Sequence, residues 1–328
     1  MSKYQEDDTQ KILHKNDEVD HKLKDKKTGK AKTIWCPIFK PENLGTNMTI
    51  DEKNIGNECY TIIANKDTGK IFLMIMTTKS KLICKVLSKL SLKYRLKVKV
   101  ITKDLAEGYD WVARTMFPNA KKVADKFHVL KLGFQALQDV RVRFRQEILT
   151  QEREKNNKLK TSKNKNIQNS KNINDNAKLN YFKNKFENGE TPKELLARSR
   201  YLLFKKEKDW SDSQLERAKI LFYNFPEINA AYEFINAFRD FYEKDNLQDA
   251  KKSLDAIYLD AKSSKTPEII NFVSTLKRHE AVILNYFITK QTNAFAESLN
   301  AKIQRFVISS FGFRDRQFFH FRIKEHFS

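Results

Sequence analysis

The order of apolar segments between residues 48 and 129 constrains the fold of this chain more than any other feature of its sequence. Alternating apolar runs predict strands, whereas apolar residues at three- and four-residue spacing predict helices. Seven such segments follow one another: strands 48–51, 59–65 and 70–76, helix 82–90, strand 96–100, helix 109–116 and strand 121–129. The order β-β-β-α-β-α-β predicts an α/β sheet with carboxylates at strand ends.

The composition changes on both sides of this segment. Residues 1–34 carry dense mixed charge without a sustained period, which predicts a mobile arm rather than a packed element. From Glu194 to Phe287 the pattern is helical almost throughout, and we predict an all-α insertion over residues 136–288. Within that insertion, the Lys/Asn-rich stretch near 150–185 is poor in apolar residues, so we expect a solvated loop or an unstable helix end there.

The charge of the chain indicates its class of partner. The net charge of +22 and the pI near 9.7 exceed what solubility requires and have the sign that a phosphate backbone attracts, so nucleic acid is the predicted partner. The longest apolar run, 71–76, is too short to span a membrane, and no secretory signal is readable; we therefore expect a cytoplasmic protein. Cys36, Cys59 and Cys84 are irregularly spaced and predict reduced thiols.

Two aspartates lie at or just after the ends of predicted strands, which is where α/β folds build their sites. Asp51 ends the strand 48–51, and Asp104 comes just after the strand 96–100. If these strands are neighbours, the two carboxylates face each other, and a divalent cation would relieve their repulsion. The simpler interpretations are a turn residue for Asp51 and a helix N-cap for Asp104.

Two further features are candidates for the same site. Asp125 and His128 form a D-x-x-H motif on or just after the last strand; His128 is either a metal ligand or proton-transfer group, or it forms a buried hydrogen-bonded pair with Asp125. Glu297 lies on a predicted helix, on a small polar face away from the apolar stripe. That face suits a close approach to a metal site, although a lone glutamate of this kind is usually solvated.

The C-terminal segment mixes basic and aromatic side chains. Such a mixture can bind DNA phosphates and unstacked bases. The alternative is an amphipathic terminal helix with phenylalanines inward and arginines outward. The candidate DNA-binding residues are Lys302, Arg305, Arg314, Arg316 and Arg322.

Taken together, these segments resemble the DDE transposases of bacterial insertion sequences, of the ISL type. The resemblance extends from about Asn43 to the C-terminus. Four ordered segments carry it: IDEKNIGNECYTIIANKDTGKI (50–71), DLAEGYDWVARTMFPNAKKVADKFHVLKL (104–132), LLARSRYLLFKK (195–206) and TNAFAESLNAKIQRFVISSFGFRDRQFFHFR (292–322).

The resemblance implies a ribonuclease-H-like mixed sheet flanked by helices, with the large helical insertion before the last catalytic acid. It assigns Asp51, Asp104 and Glu297 as the catalytic acids and as ligands of two Mg²⁺ ions, for which Mn²⁺ is a substitute. Asp125 and His128 would support these acids from beside them. A competing assignment makes Asp125 the second acid.

The implied activity is metal-dependent DNA strand cleavage and strand transfer at the ends of an insertion sequence. The catalytic core would comprise residues 35–135 and 289–328, the latter ending in a helix. The family usually carries an N-terminal zinc ribbon and helix-turn-helix, which the leading residues cannot hold; we expect a companion protein to recognise the element ends and a homo-oligomer to form on DNA. The alternatives are a non-catalytic DNA-binding remnant of a transposase and a ribonuclease-H-like structure-specific nuclease.

Overall fold

A computed structural model describes residues 21–24, 31–165, 185–290, 294–309 and 315–328. The chain divides into two compact units. The first contains Met1–Val129 and His279–Ser328, and the second contains Leu130–Arg278. Across the described ranges, no helix has the length and apolarity needed to cross a membrane.

Two short strands near the N-terminus, β1 (His21–Lys24) and β2 (Ala31–Ile34), pair antiparallel. They lie within the arm for which composition predicts no packed element, and they form a two-stranded sheet of their own, so the mobility of the arm stays a prediction. Backbone hydrogen bonds between two short strands need no long apolar period, so composition alone could not exclude them. Residues 1–20 and 25–30 of the predicted arm lie outside the described residues.

A six-stranded mixed sheet forms the centre of the first unit, in the order β3-β6-β5-β4-β7-β8. β4, β7 and β8 run parallel to one another, whereas β3, β5 and β6 complete an antiparallel meander with β4. The strands are β3 (Ile38–Phe39), β4 (Asn47–Ile55), β5 (Glu58–Asn65), β6 (Ile71–Ile75), β7 (Val100–Lys103) and β8 (Lys121–Ala124). Asp51 belongs to β4 and Asp104 follows β7. These two strands are neighbours, as the site hypothesis requires.

Helices cover both faces of this sheet. The helices of the first unit are α1 (Ser80–Leu87), α2 (Leu92–Arg95), α3 (Glu107–Met116), the first residues of α4 (Lys126–Lys165), and, after the second unit, α10 (Glu280–Thr289), α11 (Ala294–Ser309) and α12 (Arg316–Phe327). On one face of the sheet, α1 and α3 pack against side chains such as Ile50 and Ile75. On the other face, α11 and α12 pack against side chains such as Ile62 and Met74. A short 3-10 helix spans Pro41–Asn43.

Three strand boundaries differ from the predicted ones by four or five residues. β4 continues to Ile55, because beyond the predicted end it still pairs with β5. The fourth strand begins at Val100 rather than Leu96, since the Leu96 backbone N–H bonds to Leu92 and closes α2. The fifth strand ends at Ala124: the Asp125 carboxylate accepts a hydrogen bond from the Phe127 N–H, and this side-chain capping starts α4 at the point where a strand was predicted to continue.

The second unit is helical. Besides the rest of α4 it contains α5 (Pro192–Arg198), α6 (Asp212–Asn224), α7 (Pro226–Phe241), α8 (Leu247–Ser263) and α9 (Pro267–Arg278), with 3-10 helices at Leu202–Phe204 and Glu207–Asp209. Its core is aromatic: Phe238 stacks on Phe241 and meets Phe272 edge to face. The predicted α/β class, with an all-α segment before the last candidate acid, is confirmed.

The Lys/Asn-rich stretch has a helical beginning. Residues 150–165 continue α4, so a loop beginning at 150 is wrong and the alternative of a helix end applies to them. Residues 166–184 lie outside the described residues.

Candidate active site

The parallel pairing of β4 with β7 brings Asp51 and Asp104 to the same end of the sheet. The last paired residues are Ile50 and Lys103, so each aspartate is the first residue beyond the pairing. Asp51 does not end its strand as predicted, because it remains paired with Ile62 of β5. Its carboxylate therefore sits on a backbone that β5 fixes, at the point where β7 leaves the sheet.

The Asp51 carboxylate accepts two hydrogen bonds. One comes from the backbone N–H of Glu52 to Oδ1 (2.8 Å), and the other from Asn300 Nδ2 to Oδ2 (2.7 Å). The pKa of Asp51 is raised to about 6, mainly by burial and to a smaller extent by the charges of Asp125 and Asp104, while the Glu52 hydrogen bond and His128 oppose the rise. The pKa therefore reports a carboxylate that is partly desolvated and surrounded by other carboxylates.

Asp104 lies in the loop between β7 and α3. Its Oδ1 accepts a hydrogen bond from the Ala106 N–H at 2.9 Å, so it organises this loop, but it is not the N-cap, which is Ala106. The loop is also held by the fully buried Lys103, whose Nζ lies 3.1 Å from the Asp104 carbonyl oxygen and 3.2 Å from Asp110 Oδ1. A buried ion pair next to Asp104 thus fixes the backbone that presents its carboxylate.

Asp125 and His128 form a hydrogen-bonded pair, which is one of the two arrangements that the motif allowed. The distance between His128 Nδ1 and Asp125 Oδ2 is 2.5 Å, and Asp125 is 2% exposed. The hydrogen bond to Asp125 raises the pKa of His128, against the opposing effect of burial, and the charges of Asp125, Asp51 and Asp104 add to the rise. These four side chains are therefore electrostatically coupled at one edge of the sheet.

Glu297 lies on the first turn of α11 and is exposed. Leu299 and Ile303 of the same helix are buried against the sheet, while Asn300, three residues after Glu297 and hence on the same face, reaches Asp51. The helix is thus anchored beside Asp51, but the Glu297 carboxylate does not complete a compact cluster. Within the described residues, no three His, Cys, Asp or Glu side chains are grouped so as to hold a metal ion.

Sequence reasoning missed three residues that organise this site. Asn300 belongs to the polar face of the helix that carries Glu297, and Lys103 lies beyond the strand predicted over 96–100, so neither carries a sequence signal of such a role. Tyr109 is 2% exposed; its hydroxyl donates to Glu52 Oε1 (2.9 Å) and lies 2.9 Å from Thr61 Oγ1. It thereby connects α3 to β4 and β5. A buried tyrosine needs a partner for its hydroxyl, which is the one signal that could have drawn attention to it.

Three of the candidate DNA-binding residues are described, and all three are exposed: Lys302 and Arg305 on α11, and Arg322 on α12. Lys302 and Arg305 line a groove of about 550 Å³, and the Arg322 guanidinium lies 5.1 Å from the centre of the Phe306 ring. Arg314 lies outside the described residues, and of Arg316 only the backbone, at the start of α12, is described.

Some phenylalanines of α12 point inward, as in an amphipathic helix, and others are exposed, as binding to DNA bases would require. Phe319 and Phe327 are buried in the core, as an amphipathic helix predicts. Phe318 and Phe321 are 57% and 58% exposed, so an inward orientation does not hold for them.

Comparisons with known proteins agree with the span of the resemblance. A family model described as a transposase matches residues 48–323, which is well over half of the chain and includes all three candidate acids. A comparison with curated proteins finds no match.

Proposed function

The chain belongs to the ISL3-type family of DDE transposases, and from that premise we propose that it cleaves DNA strands at the ends of an insertion sequence and joins the freed ends to target DNA. The family as such implies an enzyme that cleaves and transfers DNA strands. The observation that carries the proposal for this chain is that Asp51, Asp104 and Asp125 are each the first residue beyond the parallel pairing of β4, β7 and β8, with α11 held at that end of the sheet by the hydrogen bond from Asn300 to Asp51.

In this proposal Asp51, Asp104 and Glu297 are the catalytic acids. The exposed Glu297 carboxylate lies one helical turn before Asn300, on the face of α11 that meets Asp51. A change of side-chain rotamer at an exposed glutamate is fast and of low cost, so Glu297 can turn towards the two aspartates when a cation or DNA is bound. Asp125 and His128 support the acids from beside them.

The chemistry of these side chains, rather than their present grouping, fits divalent metal ions, which DDE transposases generally use. Carboxylate oxygens are the ligands that Mg²⁺ prefers, and the raised pKa of Asp51, caused first by burial and then by the nearby carboxylates, means that a bound cation would stabilise its ionised form. When bound, two Mg²⁺ ions, or Mn²⁺ in their place, would activate the attacking oxygen and stabilise the leaving 3′-oxygen.

The protein's own groups have three tasks in this reaction. Asn300 and the Glu52 N–H orient the Asp51 carboxylate, and the ion pair of Lys103 with Asp110 orients the loop of Asp104. Asp125 fixes the ring of His128 through Nδ1, so that Nε2 is the nitrogen left to exchange a proton with DNA or water.

DNA binding outside the acids is assigned to the candidate basic residues of the C-terminal segment. The exposure of Lys302, Arg305 and Arg322 supports this role, because each can reach a phosphate without first breaking a buried contact. Arg314 and Arg316 belong to the same proposal by their place in the sequence.

The partners are also part of the proposal. Joining two element ends to one target needs more than one catalytic site, so we propose a homo-oligomer on DNA, assisted by a companion protein that recognises the terminal repeats. We place the reaction in the cytoplasm, where the DNA of a bacterial cell lies. The boundaries of the catalytic core, at residues 35–135 and 289–328, are proposed on the same basis.

The decisive experiment measures both cleavage and joining on duplexes that carry the inverted repeats flanking the gene. Asp51→Ala, Asp104→Ala and Glu297→Ala should each abolish Mg²⁺-dependent activity and leave DNA affinity largely unchanged. Glu216→Ala, which removes an exposed helical acid of the second unit, is the matched control and should retain activity.

Each other outcome selects a different function. Cleavage without joining would identify a structure-specific nuclease. DNA binding without either activity, in Mg²⁺ and in Mn²⁺, would identify a non-catalytic remnant.

A further inference from the structure

The longest stretch of this chain without an acidic residue runs from Thr68 to Lys103. It contains ten lysine or arginine residues and no Asp or Glu. Five of its lysines recur at every fourth position, and all five are exposed. We name them the lysine ridge: Lys81, Lys85, Lys89, Lys93 and Lys97.

The charge of the lysine ridge is not neutralised within the part of the chain that the structure describes, where none of its five lysines forms an ion pair. Like charges four residues apart on a helix repel each other, as Lys81 and Lys85 do on α1. The first turn of α1 also has no acid and carries lysine at the end of the helix that favours negative charge. The fold therefore bears an electrostatic cost here that an anionic partner would remove.

The lysine ridge begins near the catalytic edge, by which we mean the end of the sheet where Asp51, Asp104 and Asp125 lie, beyond the last paired residues of β4, β7 and β8. A Cβ added at Gly108, in the first turn of α3, would lie 3.9 Å from Ser80 Cβ and 4.0 Å from the Thr78 carbonyl oxygen. The start of α1 thus contacts the helix that follows the Asp104 loop. From there α1 and α2 lead back to the start of β7, at the opposite end of that strand from Asp104.

We infer that the lysine ridge binds the phosphate backbone of duplex DNA on the flank of the catalytic edge. This inference rests on the proposed function, because it takes DNA as the substrate. A lipid surface fits less well: α1 buries its apolar side chains, such as Ile83 and Val86, in the protein core, and the exposed apolar side chains of the ridge segment are confined to Leu92, Tyr94 and Leu96 near its far end. A row of exposed cations suits a phosphate backbone, whose affinity for a protein grows with the number of lysines that contact it.

The test compares two variants of the full chain with the same net charge. The ridge variant is Lys81→Gln/Lys85→Gln/Lys89→Gln. The control is Lys208→Gln/Lys219→Gln/Lys252→Gln, which neutralises three exposed lysines of the helical unit. Affinity for a 30-base-pair duplex of arbitrary sequence is measured in EDTA over a range of salt concentrations, with thermal unfolding as a check that both variants are folded.

The ridge variant should bind at least tenfold more weakly than wild type, and the slope of log affinity against log salt should decrease by about 0.9 for each lysine that contacts a phosphate. The control should lose much less. Equal losses in both variants would overturn the inference, since binding would then follow net charge rather than this surface. Unchanged DNA binding with loss of binding to phosphatidylserine vesicles would also overturn it, in favour of a lipid surface.

The two proposals can fail separately. Binding in EDTA requires no cleavage. If wild type does not cleave DNA but the ridge variant binds DNA more weakly, the role of the lysine ridge is supported and the transposase reaction is refuted. If wild type cleaves DNA and the ridge variant binds as tightly as wild type, the transposase reaction is supported and the role of the lysine ridge is refuted.

Discussion

Two carboxylates, Glu190 in the helical unit and Asp51 in the α/β unit, are held in opposite ways. In the helical unit, the Glu190 side chain is 5% exposed and lies 2.8 Å from Arg217 Nη2 and 3.1 Å from Arg198 Nη1. Burial alone would raise the pKa of Glu190, but the hydrogen bonds from these arginines lower it. In the α/β unit, Asp51 accepts its hydrogen bonds from the neutral donors of Glu52 and Asn300, and its pKa is raised to about 6.

This contrast separates two uses of the same functional group. A carboxylate already neutralised by arginine stabilises the fold and has little charge left to offer. A carboxylate held by neutral donors near other carboxylates keeps a charge that only an added cation can satisfy. The helical unit repeats the first pattern at Arg143, which pairs with both Glu227 and Glu268.

The largest expected effect distinguishes Asp104 from Asp125. Asp104→Asn should reduce the rate of strand cleavage at least 1,000-fold, or about 4 kcal/mol of transition-state stabilisation, because a metal ligand is lost. Asp125→Asn should cost about 10–100-fold, as expected for a group that orients a neighbour. Single-turnover cleavage of a labelled duplex measures both, and the reverse order would make Asp125 the second acid.

The next effect tests the stabilising role of the paired carboxylate. Glu190→Gln should lower the free energy of unfolding by about 3 kcal/mol, because it leaves the charges of Arg198 and Arg217 without their common partner. Urea denaturation measures the change, and Glu187→Gln, at an exposed position three residues earlier, is the control. A loss of less than 0.5 kcal/mol, approximately the scale of a surface substitution, would break the comparison.

The pH dependence of local stability should have opposite signs at the two carboxylates. Asp51 is protonated more readily in the folded chain than in the unfolded one, so its contribution is fully present below pH of about 4 and is lost as pH rises through about 6. Glu190 has a lowered pKa, so its contribution is present above pH of about 4 and is lost as pH falls through its folded pKa.

Amide hydrogen exchange in EDTA, corrected for intrinsic rates, can follow both units in one sample. Between pH 4 and pH 7 we expect the protection of β4 to fall by up to about 2 kcal/mol in wild type and to stay level in Asp51→Asn. Added Mg²⁺ should abolish the fall, because a cation stabilises the ionised carboxylate. A fall of the same size in Asp51→Asn would show that another group titrates.

The smallest effect concerns the donor that holds Asp51. Asn300→Ala should reduce the cleavage rate about tenfold, corresponding to about 1.4 kcal/mol, because one hydrogen bond to the carboxylate is lost while the charge is kept. Gln304→Ala, at an exposed position one turn further along α11, should leave the rate unchanged. If the two variants behave alike, Asn300 does not orient Asp51 during the reaction.

Much of the α/β unit could be predicted from the sequence because its strands are short, apolar and separated by clear turns. The neighbouring positions of β4 and β7 were a condition of the site hypothesis that the order of the elements alone did not fix, and the structure meets this condition. The end of β8 could not be predicted, because Val129 continues the apolar pattern of Val123 across the strand–helix boundary, and only the side-chain bond from Asp125 to the Phe127 N–H marks the change.

The partners of the site residues were less predictable, because they are distant in the sequence. Asn300 and Asp51 are separated by 249 residues, and no local pattern connects them. Lys103 lies beyond the end of the strand predicted over 96–100, and no local pattern indicates that it is fully buried and paired with Asp110. Long-range pairing of polar side chains has no periodicity, so it becomes visible only when the chain is folded.

The edge strand β8 has a consequence for how this protein can change in length. α10 packs on β8, and Asn285 donates a hydrogen bond to the Lys122 carbonyl oxygen at 2.8 Å. The chain therefore leaves the α/β unit after β8 and returns to it with α10, which packs on the same edge strand. α10 precedes Glu297 in the sequence, so the chain is already held at this edge when it enters α11. Because the entropy of closing a loop grows only slowly with its length, the intervening helices can be lengthened, shortened or exchanged among related elements without moving the acids.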